Sequence, residues 1–325
     1  STGTYAIGDL LSGKVNPSGK LTDTVWKQHL YNPVYANWSK DPNKDETKGE
    51  YKYANSTGAP ARSAKYVVYQ EGIYNGYRYV ETRYEDKVLG AENVGDFDYS
   101  AAVSYPFGYG LSYTQFEYSD FKVTPSKGKY TVSLTVKNVG DTAGKDVVEI
   151  YLQKPYTEYD KLNKIEKASV ELVGYAKTDT LTHGGSQTVT VEVDEKYFAS
   201  YDAYCEKTYI IDAGTYYLTA GTDAHNAVNN ILARKGVEAS DLLGEGDETL
   251  VYEEEKAFDK TTYATSAATS NRITNQFDDA DINLYDGNDN KVDYVSRSDW
   301  AGTVKLGFST DGNYTKLSNQ VKLTM

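Results

Sequence analysis

The sequence predicts an α+β, mainly β fold, in which part of an α/β sandwich precedes an immunoglobulin-like β-sandwich and an irregular acidic arm. Residues 114–236 alternate apolar and polar side chains over about seven short segments, as strands with one buried face do. Residues 1–113 instead mix helical spacing with turns rich in Pro and Gly. From residue 237 the composition turns acidic, with nine acidic residues against two lysines between Glu238 and Lys260. These three regions, 1–113, 114–236 and 237–325, are the predicted units.

Composition excludes several classes of partner. The 325 residues carry a formal charge of −13, so we expect no nucleic acid to bind. No run of apolar residues approaches the ~18 that a membrane helix needs, so we expect no membrane span. Cys205 is the single cysteine, and the three histidines lie in different regions, with His183 and His225 in predicted exposed turns. We therefore expect neither a bound metal nor a cofactor.

The first region begins with a predicted helix. Ile7, Leu10 and Leu11 share one helical face, and Gly13 is placed to end the helix. "VNPSGK" reads as a turn, and residues 32–63 form a polar, Pro- and Gly-punctuated excursion that we expect to be exposed. Residues 65–82, "KYVVYQEGIYNGYRYVET", are rich in aromatic and β-branched side chains, which predicts extended structure.

The second region shows the strand period most clearly in "YTVSLTVKN", where Val132, Leu134 and Val136 alternate with polar residues. Four more segments repeat the pattern: "DVVEIYLQK", "KASVELVGYAK", "SQTVTVEV" and "GTYYLTAGT". Turn sequences such as "NVGDTAGK" and "THGGS" separate them. The third region reads as an acidic linker or arm with short strands.

Three motifs occur in order ahead of the β-sandwich: "NPSGKL" at 16–21, "EGIYNGYRY" at 71–79 and "PFGYGLSYTQFEY" at 106–118. Together they resemble the carboxyl-side half of glycoside hydrolase family 3, the β-glucosidase-type enzymes, over residues 1–236. The resemblance implies that the last motif marks the crossing from an α/β sandwich into a fibronectin type III-like domain. We expect its rings to form a dry seam, with Gly108 and Gly110 letting backbones approach closely.

The resemblance also implies a retaining mechanism with two carboxyl groups about 5 Å apart. In the family the nucleophile is an aspartate on a (β/α)8 barrel, in a segment ending Ser-Asp-Trp, and the acid/base lies upstream of the "NPSGKL" equivalent. We therefore expect no catalytic residue in this chain. Asp299, within Ser298-Asp299-Trp300, and Glu71, flanked by aromatic residues, are the weak candidates, with turn and hydrogen-bonding roles as their alternatives. A similar "SRSDW" occurs in the connection to the barrel in relatives whose sandwich domains come first.

Aromatic side chains near the excursion are the candidate sugar contacts, because aromatic faces stack on pyranose rings. They are Tyr35, Trp38, Tyr66, Tyr69 and Tyr74, and packing within the domain is the alternative for each.

The sequence thus predicts the non-barrel portion of a retaining β-glycosidase, by resemblance a β-glucosidase acting on terminal β-D-glucosyl residues. Its expected partners are a β-linked glucoside or oligosaccharide and the barrel and upstream sandwich portion, in the same precursor or a second chain. A homo-oligomer stays open, because the acidic arm is long enough to reach a neighbour. The alternative function is a stand-alone carbohydrate-binding or surface-interaction module.

Overall fold

The computed structural model describes residues 3–34, 51–52, 65–66, 69–275, 277–278 and 294–300. Most of the predicted excursion, including Tyr35 and Trp38, lies outside the described residues. Within the described residues, the first region has three α-helices and four short strands. They are α1 (Gly3–Leu11), β1 (Val25–Trp26), β2 (Tyr51–Lys52), β3 (Lys65–Tyr66), α2 (Tyr77–Val88), α3 (Tyr99–Ala102) and β4 (Val103–Tyr105). Strand β1 pairs with β4 and β2 with β3, both antiparallel. The helix predicted near the start is present as α1.

Helix α2 differs from the extended structure predicted for residues 65–82. Its twelve residues bury Tyr79, Val80 and Tyr84 at helical spacing, and the following "EDKV" favours the helix. The aromatic and β-branched composition suggests a strand, yet Val80 and Tyr84 lie four residues apart and share a buried helical face. The extended interpretation is therefore wrong from Tyr77 onward.

The second region is a two-sheet sandwich. Its strands are β5 (Phe116–Ser126), β6 (Lys129–Asn138), β7 (Val147–Gln153), β8 (Glu171–Lys177), β9 (Ser186–Asp194), β12 (Gly214–Gly221) and β13 (Val251–Lys256). One sheet has the order β13-β12-β7-β8 and the other β5-β6-β9, with all pairs antiparallel. The short strands β10 (Ser200–Asp202) and β11 (Thr208–Ile210) form a separate hairpin, and helix α4 (Glu158–Asn163) precedes β8. The predicted mainly β class with an immunoglobulin-like sandwich is confirmed.

The two central strands of the four-stranded sheet, β7 and β12, are covered on both faces. The sheet's inner face joins the β5-β6-β9 sheet in one apolar core that includes Val132, Leu134 and Leu218. Its outer face is covered by α2 and by α5 (Ala224–Arg234), which share a second core with Tyr151 and Val170. Six of the seven residues of β7 are buried, because this strand lies between the two cores.

Strand β13 lies inside the segment predicted to be an acidic arm. It pairs with β12 from Thr219↔Val251 to Gly214↔Lys256 and so forms an edge of the sandwich. Its three consecutive glutamates point to alternate faces: Glu253 and Glu255 are exposed, whereas Glu254 is half-buried and accepts a hydrogen bond from the Tyr130 hydroxyl at 2.7 Å. An edge strand with one wet face accommodates such a charge run. The sandwich therefore continues beyond residue 236.

Candidate functional site

The first and third motifs touch through their backbones. The Leu21 N–H donates to the Tyr109 carbonyl at 2.8 Å, and the Gly108 N–H donates to the Leu21 carbonyl at 2.8 Å. A Cβ on Gly110 would lie 2.6 Å from the Gly19 carbonyl oxygen, closer than real Cβ atoms come. Glycine is therefore required where the two motifs cross.

Asn16 ties this contact to the β-sandwich. Its Oδ1 accepts hydrogen bonds from the Tyr113 N–H at 2.8 Å and the Ser112 hydroxyl at 3.0 Å. Its Nδ2 donates to the Ala143 carbonyl at 3.1 Å, in the connection between β6 and β7. One amide side chain thus joins the start of the chain, the aromatic motif and the sandwich.

The second motif reaches the same place through Tyr77. Its ring lies 4.5 Å from that of Phe107 and 6.3 Å from that of Tyr151, measured between centroids. The Tyr77 hydroxyl accepts a hydrogen bond from the Leu172 N–H at 3.1 Å, and the Ala224 N–H donates to the Phe107 carbonyl at 2.9 Å. We call residues 16–21, 71–79 and 105–113 together the aromatic seam.

The aromatic seam is not fully dry. Tyr105 is 46% exposed, Tyr113 49% and Leu111 68%, whereas Gly108 is buried. The expectation of rings enclosed along the whole motif is therefore corrected: the half around Phe107 and Gly108 packs against the sandwich, and the other half faces outward.

Gly108 lies against a carboxyl group of the sandwich. Its φ of +84° is in the left-handed region, and a Cβ would collide with Glu149 Oε2 and lie 2.9 Å from the Asp223 Cα. The same Oε2 accepts a hydrogen bond from the Tyr151 hydroxyl at 2.6 Å. Burial raises the pKa of Glu149 to about 7, although Tyr151 and Lys20 both act to lower it.

The segment that contains the Ser-Asp-Trp tripeptide packs on α2. Arg297 contacts Asp86 through Nε at 3.0 Å and Nη2 at 2.5 Å, and Nη2 also donates to Glu85 at 3.0 Å. The Trp300 indole donates to Asp86 at 3.1 Å, and its ring lies 5.0 Å from that of Tyr74. We call Glu85, Asp86, Arg297 and Trp300 the helix clamp. It holds residues 294–300 against the second core.

The two candidate carboxylates occupy different surroundings. Asp299 is exposed in the turn between Arg297 and Trp300, and the tripeptide here serves the helix clamp. Glu71 is buried with 4% exposure, and its carbonyl accepts from the Tyr74 N–H at 2.9 Å. Neither residue lies on a barrel strand, since the described strands form only antiparallel pairs.

The candidate sugar contacts differ in their exposure. Tyr69 is 75% exposed, whereas Tyr74 is fully buried, with its hydroxyl donating to Glu166 at 2.6 Å. The ring of Tyr74 belongs to the core, so it has no face for a sugar in this structure. Tyr66 is described only as a residue of β3, and Tyr35 and Trp38 lie outside the described residues.

Sequence reasoning missed a polar cluster around His225, because the residue was placed in an exposed turn. It lies instead in the first turn of α5 with its side chain 12% exposed. Its Nδ1 is 2.8 Å from Glu81, its Nε2 is 2.7 Å from the Leu243 carbonyl, and its ring stacks on Tyr99 at 4.1 Å. Burial lowers the pKa of His225, but Glu81 and the two hydrogen bonds outweigh it, so the pKa lies above its usual value. The Asp223 cap of "TDAHN" was the available signal for a helix start.

Within the described part of the chain, no group of three or more His, Cys, Asp or Glu side chains is arranged to hold a metal ion. None of its helices is long and apolar enough to cross a membrane.

Comparison with known proteins identifies the relatives. Residues 146–224 match the family model of the fibronectin type III-like domain. The chain is 32% identical over 227 residues to thermostable β-glucosidase B of Acetivibrio thermocellus, covering 69% of this chain and 24% of that protein. It is 33% identical over 238 residues to a β-glucosidase of Ruminococcus albus, covering 70% of this chain and 20% of that protein. This chain is related to part of the family 3 β-glucosidases.

A solved structure supports the same assignment. The family 3 β-glucosidase from Bifidobacterium adolescentis superimposes with a TM-score of 0.52 at 25% identity, covering 81% of this chain and 29% of that one. The chain spans less than a quarter of the length of the two curated relatives. The predicted resemblance is confirmed, and the chain corresponds to a non-barrel portion of these β-glucosidases.

Proposed function

We propose that this chain is the scaffold portion of a retaining β-glucosidase that hydrolyses terminal β-D-glucosyl residues. It supplies the fibronectin type III-like sandwich and one wall of the substrate cleft. The bond-breaking carboxyl groups belong to a barrel and an upstream sandwich portion, in the same precursor or in a second chain. The observation that carries the proposal is the aromatic seam, where three motifs separated by up to about a hundred residues meet. Hydrogen bonds join the first motif to the third, and the ring of Tyr77 packs the second motif against Phe107 of the third.

The outward half of the aromatic seam supports this role. Tyr105, Leu111 and Tyr113 are exposed, as are Tyr5 and Leu11 of α1. The Tyr113 hydroxyl donates to the Leu10 carbonyl of α1 at 2.8 Å, so the outward half of the seam contacts this helix. Exposed apolar side chains on neighbouring elements are typical of an interaction surface. We assign this surface to the remainder of the α/β sandwich.

A chimera tests the proposal. The matching 227 residues of β-glucosidase B of Acetivibrio thermocellus are replaced by this chain, and hydrolysis of a chromogenic β-glucoside is measured. We expect the chimera to hydrolyse the substrate and the isolated chain to show no turnover. A folded chimera without activity, or hydrolysis by the isolated chain, would contradict the proposal. Substituting Leu for Gly110 in the chimera is the matched control, because that side chain would collide with the Gly19 carbonyl.

The exposed Tyr69 and the strand residue Tyr66 remain our candidates for outer sugar contacts, together with Tyr35 and Trp38. In the active chimera, replacing Tyr69 by Ala tests one of them. We expect KM for a long oligosaccharide to rise while KM for a short aryl glucoside stays constant, because only the long substrate reaches an outer contact.

A second candidate function rests on a cavity of about 630 Å3 beside the helix clamp. Tyr156 and Tyr217 line it together with the polar side chains of Asn93 and Gln153. Charged side chains complete its wall, among them Glu85, Asp86, Lys154, Lys235 and Arg297. Its volume is in the range of ligand pockets, and aromatic rings beside polar and charged groups can contact the rings and the hydroxyl groups of a saccharide. Saccharide binding by the isolated chain, lost on replacing Tyr217 by Ala, would favour a carbohydrate-binding module.

A further inference from the structure

One lysine and two aspartates are buried together outside the aromatic seam. Lys167 Nζ lies 2.5 Å from Asp212 Oδ2 and 2.8 Å from Asp160 Oδ1. The side chains of all three residues are at most 2% exposed. A single ammonium group cannot neutralise two carboxylates, and buried charge is costly unless it is paired.

Local structure fixes Asp160 beside the lysine. Thr157 caps helix α4, and its N–H and hydroxyl donate to Asp160 Oδ2 at 2.7 and 2.9 Å. This capping box occupies one carboxylate oxygen and leaves the other to Lys167. The amino-acid pattern of the helix start thus aims Asp160 Oδ1 at the amine.

Asp212 is held from the other side. It follows β11, and its backbone N–H donates to the hydroxyl of the buried Tyr216 at 2.9 Å. Its Oδ2 faces Lys167, whereas its Oδ1 is buried without a hydrogen-bond partner among the described residues. Burial raises the pKa of Asp212 to about 6, Lys167 acts against this and Asp160 adds to it. The Asp212 carboxylate therefore takes up a proton more readily than an exposed aspartate does, and the protonated acid is the form that an amine attacks.

We propose that Lys167 and Asp212 become joined by an isopeptide bond, with Asp160 as the proton carrier. A proton first passes from the Lys167 ammonium to the Asp212 carboxylate, leaving a neutral amine and a carboxylic acid. The Nζ lone pair then attacks Asp212 Cγ while Asp160 accepts a proton from the amine. Asp160 returns that proton to the departing Asp212 hydroxyl. One C–N bond forms, one C–O bond breaks, and one water molecule leaves, with no oxidant or activating group consumed.

The geometry favours amide formation from a carboxyl group that has not been activated. The amine and the carboxyl group are held within 2.5 Å, and such fixed neighbours react as though at very high concentration. Burial removes bulk water, so the product resists hydrolysis. The N–H of the new amide stays beside Asp160 Oδ1, which is 2.8 Å from Nζ before reaction. Before reaction the cluster holds one ammonium group and two carboxylates. After reaction it holds a neutral amide and the single carboxylate of Asp160, which Thr157 caps.

The bond would close residues 167–212 into a covalent loop. Lys167 lies just before β8 and Asp212 just before β12, two strands of the same four-stranded sheet. A cross-link between them restrains the unfolded chain as a disulfide does, in a sequence whose single cysteine forms no intramolecular disulfide.

Mass spectrometry tests the proposal. The full chain is folded and purified, and its mass is then measured under denaturing conditions. We expect a mass lower than that of the sequence by one water molecule. Trypsin should release one branched peptide in which residues 165–177 are joined through Lys167 to Asp212 of residues 208–234. The full sequence mass in a sample that shows native circular dichroism would overturn the proposal. A branch at Asp160 in place of Asp212 would overturn the assignment of the acceptor.

Variants separate the cross-link from a simple ion pair. Lys167→Arg keeps the charge but removes the reacting amine, and Asp160→Asn keeps the shape but removes the proton carrier. We expect both variants to fold and to show the full sequence mass. Lys154→Arg is the matched control, because Lys154 also pairs with a carboxylate, Glu171, at 3.0 Å. That variant should keep the mass loss; if Asp160→Asn keeps it too, the role given to Asp160 is refuted.

Discussion

Replacing Gly108 by Ala tests whether the aromatic seam depends on close backbone approach. Gly108 has φ +84°, and a Cβ there would lie 2.9 Å from the Asp223 Cα, which is backbone and cannot swing away. Gly128, in the turn between β5 and β6, has φ +76°, and a Cβ there would meet no atom within 4 Å. The two glycines share their backbone conformation and differ in their surroundings.

The expected loss of stability follows from that difference. A residue with a Cβ in the left-handed region costs about 1–2 kcal/mol. Forcing an extra methyl into a packed site costs about 1–3 kcal/mol more. Gly108→Ala should therefore lower the free energy of unfolding by about 2–5 kcal/mol, and Gly128→Ala by only about 1–2 kcal/mol.

Urea unfolding followed by circular dichroism measures both values. The midpoint should fall further for Gly108→Ala, with a similar slope for the two variants, because the folded core is the same. Equal losses would show that packing between the seam and the sandwich contributes nothing, and the reasoning would then be refuted. A drop in slope for Gly108→Ala alone would mean that the seam opens while the sandwich stays folded.

Three further outcomes are expected. The pKa of His225 in the folded protein lies above its usual ~6.5. Protonated His225 therefore adds to the free energy of unfolding below pH ~6.5, and this contribution is lost as the pH rises through the pKa of the folded state. Glu81→Gln should flatten this pH dependence, measured by urea unfolding at several pH values. Arg297→Ala should destabilise the fold by about 3–5 kcal/mol, because Asp86 loses its buried cationic partner and Glu85 keeps only Lys235. Arg297→Lys should cost less. Asn16→Ala should cost about 1–2 kcal/mol in thermal or urea unfolding, and Asn16→Asp about half of that, because Asp keeps the accepted bonds but loses the bond to the Ala143 carbonyl.

The β-sandwich was predictable from sequence because each strand carries its own evidence. The alternation along β6 reports one buried and one wet face, and the structure buries Tyr130, Val132, Leu134, Val136 and Asn138 while leaving the residues between them more exposed. Strand β7, VVEIYLQ, is apolar on both faces apart from Glu149 and Gln153, which carries further information. It requires cover on both faces, and α2 and α5 provide the second cover.

The helix α2 was not predictable from composition alone. Its tyrosines favour strands by propensity, and their helical spacing becomes decisive only once the sheet face that receives them is known. The sequence predicts short strands within residues 237–325 but does not locate β13, because its three consecutive glutamates suggest a solvated linker. Pairing with β12 and the hydrogen bond from Tyr130 to Glu254 outweigh that local signal.

The candidate site also has features that local sequence predicts and features that it does not. The motifs indicated a contact between regions, and the glycines within them indicated close approach, because both are properties of local sequence. The burial of Tyr74 and the attachment of Arg297 to α2 depend on residues far apart in the chain, more than two hundred positions in the case of Arg297 and Asp86. No local pattern reports such a pairing. The Ser-Asp-Trp tripeptide illustrates the consequence, since here its tryptophan packs in a core and its aspartate faces solvent.

The seam and the helix clamp together explain why the second core is so rich in tyrosine. Tyr77, Tyr79 and Tyr84 each place a ring in the core and direct a hydroxyl to a neighbouring polar group: Tyr77 to a strand amide, Tyr79 to Arg83 and Tyr84 to Asn229. Phenylalanine would supply the same apolar area but would leave those buried groups without a partner, at a cost of about 1–3 kcal/mol each. Tyrosine therefore lets one helix pack tightly against a sheet and, at the same time, specify where the sheet and the loop after α5 must lie, the latter through the Leu243 N–H that donates to the Tyr84 hydroxyl. The orientation of the cleft wall that we assign to this chain follows from that set of hydroxyl contacts rather than from apolar packing alone.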